Sequence, residues 1–368
     1  MLLSNDNHLI LTLDAGGTNF VFSAYQGGRE IANPITLPSN AHDLDRCIGT
    51  IYSGFEKVSA ELPRPADAIS FAFPGPADYS LGIIGDLPNF KAFNDGVPLG
   101  PMLEERFGLP VFINNDGNLF AYGEALAGFL PDLNRRIIDY GGIKQFRNLV
   151  GMTLGTGFGC GIVLNNILME GDNSNDAGIH NTSNRYNPAW NAEESISTRA
   201  IQRVYCEGAG LHSTSLMPKD IYEIAVGLSQ GNREAAIRSF QIFGEALGNS
   251  VANMITLIDG IVVIGGGLAT AWDLFAPAMF KEIDRMYFSP SDEEYARLSV
   301  KVYNLEDKNT FKEFATGSIR SISLPTGNRT IRYDELQRIG VGLSKLSASK
   351  AIAIGANAFA VQRLTGKE

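Results

Sequence analysis

Three observations predict an α/β fold in two domains. The chain has 368 residues, more than a single hydrophobic core usually serves. Two glycine loops, Leu11-Thr12-Leu13-Asp14-Ala15-Gly16-Gly17-Thr18-Asn19 and Leu154-Gly155-Thr156-Gly157-Phe158-Gly159-Cys160-Gly161, lie far apart, each between two strand-like runs. The run Gly260-Ile261-Val262-Val263-Ile264 follows a long helical stretch and is apolar enough for a strand buried on both faces.

From the N-terminus, Leu9 to Leu13 is apolar apart from one Thr, and Phe20, Val21, Phe22 and Ala24 resume strand character after the loop. Leu149, Val150 and Met152 lead into the second loop, and Ile162, Val163 and Leu164 lead out. Both loops are therefore expected at the tips of β-hairpins. Asp43 to Leu62 has the periodicity of an amphipathic helix, and Ala68 to Phe73 that of a strand ending at Pro74-Gly75-Pro76. After a polar stretch around Leu87-Pro88-Asn89-Phe90, a helix is predicted over Leu99 to Phe107 and a short buried strand over Pro110 to Ile113. Asn114-Asn115-Asp116-Gly117-Asn118 breaks that strand before a helix over Leu119 to Leu126. Residues 130–148 read as a loop insertion.

Helical sequence runs from Asp220 to Ile258 with a break near Gly231-Asn232. Short β-rich pieces follow at residues 298–302, 321–324 and 330–333, and Ser349 to Leu364 closes the chain with a helix whose Gly355-Ala356 suits close packing.

Glycine at a hairpin tip accepts positive φ and lets backbone N–H groups converge on an anion, with Thr18 and Thr156 adding hydroxyl donors. One such loop is an ordinary tight turn. Two on matching hairpins, the first with Asp14 at its mouth, point to phosphate. No Gly-Lys-Ser/Thr follows either loop, and a hairpin is the wrong setting for a dinucleotide fingerprint.

Hydrophobic residues make up 44% and charged residues 19%, the balance of a globular protein, and no apolar run reaches the length of a membrane span. A net charge of −10 and the absence of a long basic run argue against nucleic acid as the partner. The segment Met1 to His8 has no basic start or apolar stretch of a secretory signal, giving a cytoplasmic expectation. Cys47, Cys160 and Cys206 are widely spaced and suggest neither a disulfide framework nor a sulfur-rich metal site.

Taken in order, Asp14-Ala15-Gly16-Gly17-Thr18-Asn19, Phe73-Pro74-Gly75-Pro76, Leu87-Pro88-Asn89, Asn114 to Asn118, Leu154 to Gly159 and Ile264-Gly265-Gly266-Gly267-Leu268 resemble the ROK family of sugar kinases and sugar-responsive repressors. The resemblance runs from about Leu9 to Leu364. It implies two actin-like, hexokinase-type α/β domains around a central cleft where ATP and sugar meet. The expected division is 1–117, completed by a C-terminal helix at 349–368, and 118–348.

By the same resemblance, Asp14, Gly16, Gly17, Thr18 and Asn19 face the β- and γ-phosphates of ATP, with Asp14 near Mg²⁺. Gly155, Thr156 and Gly157 form the second phosphate clamp. Gly265, Gly266 and Gly267 fall where the family holds adenosine. A strand-to-helix turn needing small residues is the lesser alternative for that triplet.

Asp116 matches the catalytic aspartate. Phosphoryl transfer to an alcohol needs an acceptor for the hydroxyl proton, and a carboxylate aimed at that oxygen supplies it. Taken by itself, Asn-Asp-Gly also suits a helix cap. Gly75, Asn89, Asn115, His180 and Glu193 match sugar-side positions, with Glu194 a competitor for the last.

The sequence departs from the family at Asp176-Ala177-Gly178-Ile179-His180, where a glutamate is missing and Asp176 is the available replacement. The family's cysteine positions hold Asn184, Tyr186 and Asn191, so no zinc site is expected.

The expected activity is ATP- and Mg²⁺-dependent phosphorylation of a hexose or hexose derivative by a homodimer, without nucleic-acid or membrane partners. The alternative is a catalytically weak sugar- or nucleotide-binding protein descended from such a kinase. Family repressors carry a DNA-binding domain before the first glycine loop, and only eight residues precede the first strand here.

Overall fold

The computed structural model describes residues 6–85, 93–326 and 328–366. They fall into two compact units, one of Met1–Phe129, Gly161–Ala177 and Lys345–Glu368, the other of Leu130–Cys160 and Gly178–Ser344.

In the first unit, alternation along β1 (Leu9–Ala15) puts Leu11 and Leu13 into one core and Ile10 into a second on the opposite face, the face shared by Thr12 and Asp14. β2 (Asn19–Gln26) returns antiparallel with Val21 opposite Asp14, forming the expected hairpin. β3 (Arg29–Glu30) and β4 (Ile35–Pro38) both pair with β2. α1 (Leu44–Ala60) begins where the Asp43 side chain accepts from the Arg46 amide. β5 (Ala68–Ala72) lies parallel to β1, a ribbon of β6 (Ala77–Asp78) and β7 (Ile83–Ile84) follows, and α2 (Leu99–Phe107) precedes β8 (Val111–Asn114).

The sheet order is β3-β2-β1-β5-β8, with β4 beside β2. The face carrying Leu11 and Leu13 packs on α1, where the Phe22 and Phe55 rings meet edge to face at 5.2 Å. Gly54 leaves the space that the Phe22 ring fills. α3 (Asp116–Leu126) follows β8 directly.

Where a loop insertion is expected, α4 (Phe129–Asp139) forms instead. Pro131 lies in its first turn, where a missing N–H costs nothing, so it does not break the helix. β9 (Leu149–Leu154) and β10 (Phe158–Leu164) flank the second glycine loop as neighbouring strands, and β11 (Ile167–Leu168) pairs with the end of β10.

α5 (Thr198–Ala209), α6 (Pro218–Val226) and α7 (Arg233–Ile258) come next, then the fully buried β12 (Ile261–Gly265). β12 lies parallel to β9. α8 (Trp272–Ile283) packs closely on α7, because side chains at Gly244 and Gly248 would collide with the Phe275 and Met279 carbonyls.

β13 (Met286–Phe288) and β14 (Glu294–Ala296) form a hairpin, and β15 (Lys301–Asn304) precedes α9 (Lys308–Thr316). β16 (Ile319–Ser323) and β17 (Thr330–Asp334) pair as a second hairpin. β18 (Arg338–Leu343), which the sequence did not announce, lies parallel to both β12 and β15. Its first residue is a fully buried arginine whose Nη1 reaches Asp334 at 2.7 Å and whose Nε donates to the Phe314 carbonyl at 2.6 Å. A charged residue in a core position hides a strand from any pattern of apolar alternation.

α10 (Ala348–Thr365) belongs to the first unit, where it crosses α3 backbone to backbone. A Cβ on Gly355 would collide with the Leu119 carbonyl, and one on Gly123 with the Ala351 carbonyl. Asn357 fixes the helix further by accepting from the Gly28 amide at 2.9 Å. The three cysteines are buried, and burial pushes the Cys47 thiol up to about 12, leaving it no thiolate chemistry.

Candidate active site

In the first unit the end of β1 and the start of α3 supply the acidic groups. Asp14 lines a cavity of about 450 Å³ together with Thr12, Ser347 and Lys350. The hairpin tip after it is tied down by Ser39, whose amide donates to the Thr18 carbonyl at 2.9 Å and whose hydroxyl donates to the Gly17 carbonyl at 2.6 Å. Gly17, Thr18 and Asn19 are exposed.

Positive φ was the expected reason for glycine in these loops, and the structure corrects it: Gly16, Gly17, Gly155 and Gly157 all lie outside that region. Space is the reason instead. A Cβ on Gly16 would lie 2.7 Å from the Asn19 carbonyl oxygen, whereas the positions beside Gly17 and Gly155 are open, leaving bare backbone for a ligand to approach.

The helix cap at α3 falls to Asn115, whose Oδ1 accepts from the Gly117 amide at 2.8 Å. Asp116 is the first helical residue, and its Oδ1 also accepts from the Gly117 amide at 2.8 Å. Its side chain reaches solvent, yet protein crowds it enough that desolvation raises its pKa. The Gly117 amide lowers that pKa and the Asp14 charge raises it further, so the balance stays upward.

Close packing fixes this turn: a Cβ on Gly161 would lie 2.7 Å from the Asn118 Cα. Tyr79, absent from the sequence-derived site, joins the cluster. Its hydroxyl donates to the Phe73 carbonyl at 2.8 Å, and burial raises its pKa, with Asn115 opposing and the charges of Asp116 and Asp176 adding to the rise. A Cβ on Gly75 would lie 3.2 Å from that hydroxyl. No residue spacing announces Tyr79. Asn89 lies outside the described residues.

The second unit holds the other two glycine loops. The Gly155 amide donates to the Gly157 carbonyl at 3.1 Å, and the Gly155 carbonyl accepts from the Thr198 amide at 2.9 Å and hydroxyl at 3.1 Å. Gly265 pairs with Thr153 in the β12–β9 ladder, so the second and third loops are neighbours. Gly266 has a φ of 89°, and a Cβ there would lie 2.7 Å from the Leu154 amide nitrogen, while the position beside Gly267 is open.

Glu193 sits in a short 3₁₀ turn with its Oε2 accepting from the Phe158 amide at 2.9 Å and its Oε1 from Arg199 at 2.8 Å. Arg199 also grips Glu194, and this bond, outweighing desolvation, lowers the Glu194 pKa.

His180 lies half-buried in the 3₁₀ turn Ile179–Asn181. The segment beyond it is braced by amides. The Asn184 Nδ2 donates to the Asn191 carbonyl at 2.8 Å and to the Ser195 hydroxyl at 2.9 Å, and its Oδ1 accepts from the Tyr186 amide at 2.9 Å. Among the described residues no three His, Cys, Asp or Glu side chains are grouped to hold a metal ion, and no helix is long and apolar enough to cross a membrane.

The ROK family profile matches residues 10–311. The glucokinase of Thermotoga maritima is 28% identical over 300 residues, covering 77% of this chain and 89% of its own. The N-acetyl-D-glucosamine kinase of Histophilus somni is 24% identical over 271 residues, covering 70% and 83%. The crystal structure of the glucokinase from Parabacteroides distasonis ATCC 8503 is 50% identical with a TM-score of 0.89, covering 98% of this chain and 99% of that one.

Proposed function

Since the chain belongs to the ROK family, we propose that it is an ATP-dependent sugar kinase acting on a hexose or hexose derivative, with Asp116 as general base. The observation that carries this reading is the Asp116 carboxylate itself. Its neighbour Asn115 takes the capping role, it reaches solvent, and its raised pKa makes it a better proton acceptor than an ordinary carboxylate. Glucose is the first substrate to test, because the relatives at 50% and 28% identity are named glucokinases.

In the reaction a sugar hydroxyl oxygen bonds to the terminal phosphorus of ATP, the bridging P–O bond breaks, ADP leaves, and Asp116 takes the hydroxyl proton. Asn115 carries both a donor and an acceptor to orient the sugar near the Gly75 backbone in the first unit, and the family resemblance gives His180 of the second unit the same task. The family resemblance gives the nucleotide to Gly16, Gly17, Thr18 and Asn19 in the first unit and to Gly155, Thr156, Gly157, Gly265, Gly266 and Gly267 in the second, and the open backbone at Gly17, Gly155 and Gly267 supports that reading.

Mg²⁺ fits beside Asp14, a hard oxygen donor whose charge opposes that of Asp116, so a cation held by Asp14 would relieve that repulsion. When bound, it neutralises phosphate charge. The family resemblance adds a homodimer, which light scattering checks.

A coupled ADP-release assay over glucose, other hexoses, amino sugars and N-acetylated sugars tests the reading. Turnover with at least one is expected. No turnover across the panel, with nucleotide binding confirmed by calorimetry, makes the protein a binding relative of the kinases.

A further inference from the structure

The second unit has a cavity that the proposed reaction does not use. About 440 Å³ in volume, it is lined by Lys144, Asp259, Ser299 and Gln337, with Arg297 and Arg338 in its wall. It sits where four parallel strands begin: Lys144 lies before β9, Asp259 caps α7 just before β12, Ser299 precedes β15, and Arg338 opens β18. The second and third glycine loops leave the opposite ends of β9 and β12. The length of β12, Ile261 to Gly265, separates the cavity from those loops by about 13 Å of strand.

Positive charge gathers at the cavity, although the whole chain carries −10. Glu282 is shared among three guanidinium groups, at 2.9 Å from Arg185, 3.1 Å from Arg285 and 2.8 Å from Arg297, so it does not neutralise Arg297 alone. Arg338 pairs with Asp334 through Nη1, and its buried Nη2 has no hydrogen-bond partner among the described residues. Both arginine side chains are buried, where salt screens a charge weakly, and so they act on the cavity as field and not as contact.

Lys144 is the lining cation that can move to a ligand. It is half-buried, forms no ion pair among the described residues, and holds its ammonium 5.2 Å from the centre of the Phe146 ring. Burial and then the Arg338 charge lower its pKa, with Asp334 and Asp259 opposing. Among the described residues Asp259 is the one carboxylate on the lining, and it is exposed.

We propose that this cavity is a second ligand site, distinct from the glycine loops of its unit, that takes a phosphate group, as inorganic phosphate or as the phosphoryl end of a sugar phosphate. Lys144 meets the anion, and the Ser299 hydroxyl and Gln337 amide add uncharged donors. The anion supplies the counter-charge that the protein leaves out. The volume is that of a small-molecule site. Nothing in this proposal rests on the kinase reading.

The test compares wild type with Lys144→Gln and Lys144→Arg, each checked for folding by circular dichroism. Inorganic phosphate and glucose 6-phosphate are titrated by calorimetry into protein saturated with AMPPNP, Mg²⁺ and glucose, so that the proposed active site is already filled. Wild type is expected to bind one phosphate group per chain. Lys144→Gln should weaken that binding roughly tenfold or more, the effect of losing a hydrogen bond to a charged group, and Lys144→Arg should restore most of it.

Glucose 6-phosphate binding more tightly than inorganic phosphate identifies a sugar phosphate as the ligand, and the reverse order identifies the free ion; both support the site. Failure of both probes to bind at millimolar concentration, by heat and by Tm alike, overturns the proposal. Binding that Lys144→Gln leaves unchanged overturns it too. Should AMPPNP not bind, the kinase reading fails, and the same titrations run without it still decide this site.

Discussion

The Asn118 side chain donates from Nδ2 to the Asp176 Oδ2 at 2.7 Å, tying the loop that ends at Asp176 to the first turn of the helix bearing Asp116. The other Asp176 oxygen accepts from the Gly171 amide at 3.2 Å. Asp176 thus bridges that loop and, through Asn118, the turn that begins with Asp116.

Replacing the proposed base should separate chemistry from binding. Asp116→Asn keeps the shape and can still accept from the Gly117 amide, but it cannot take the hydroxyl proton. Turnover is expected to fall by about 10² to 10⁴, with AMPPNP and sugar affinities within a few-fold of wild type. A variant that turns over at nearly the wild-type rate makes Asp116 a structural residue.

The same substitution should stabilise the fold near neutral pH. A carboxyl whose folded pKa is raised keeps its proton over a range where the unfolded chain has lost it, so stability falls as pH rises from the unfolded value, about 3.9, through the folded one. Asp116→Asn removes that penalty. Its Tm should exceed the wild-type value at pH 7, with the gain shrinking toward pH 3. The rate should follow the same carboxyl, losing activity on the acid side at a pH above the ordinary carboxylate range. Equal Tm values at both pH values contradict this.

The α3–α10 crossing leaves no room for a methyl group. Gly355→Ala places a Cβ against the Leu119 carbonyl and forces the helices apart, an overpacking that typically costs about 1–3 kcal/mol. Urea denaturation should register that loss. Activity should fall beyond what the lost stability explains, because the shift reaches the turn that carries Asp116. Wild-type stability for the variant contradicts this.

The segment after His180 should depend on Asn184 and not on zinc. Asn184→Ala leaves the Tyr186 amide without its partner and takes one of two donors from the Asn191 carbonyl, at a cost of about 1–3 kcal/mol, and should raise KM for the sugar more than KM for ATP. Elemental analysis is expected to find no stoichiometric zinc, and a chelator in excess Mg²⁺ should leave activity intact. Activity lost on chelation and restored by zinc alone contradicts this.

Features written in local chemistry were legible before the structure. The two glycine hairpins follow from apolar runs around glycine pairs, and α2 begins and ends where its pattern does, at Leu99 and Phe107. What escaped depends on distant partners. β18 opens with Arg338, acceptable in a core only because Asp334 and the Phe314 carbonyl meet it there. Tyr79 enters the Asp116 cluster, and Ser39 grips the first loop, through contacts that no spacing encodes. Glu193 was legible as a site residue, and only the structure shows the Phe158 amide beneath it.

The glycine crossing also bears on synthesis. α3 is made early and α10 late, yet neither buries its contact face without the other. A contact joining such distant stretches closes a large loop and forms slowly. Asp116 is thus translated long before the helix surface that packs against its own helix. The first unit can complete its α3–α10 crossing only after the final helix of the chain has been made.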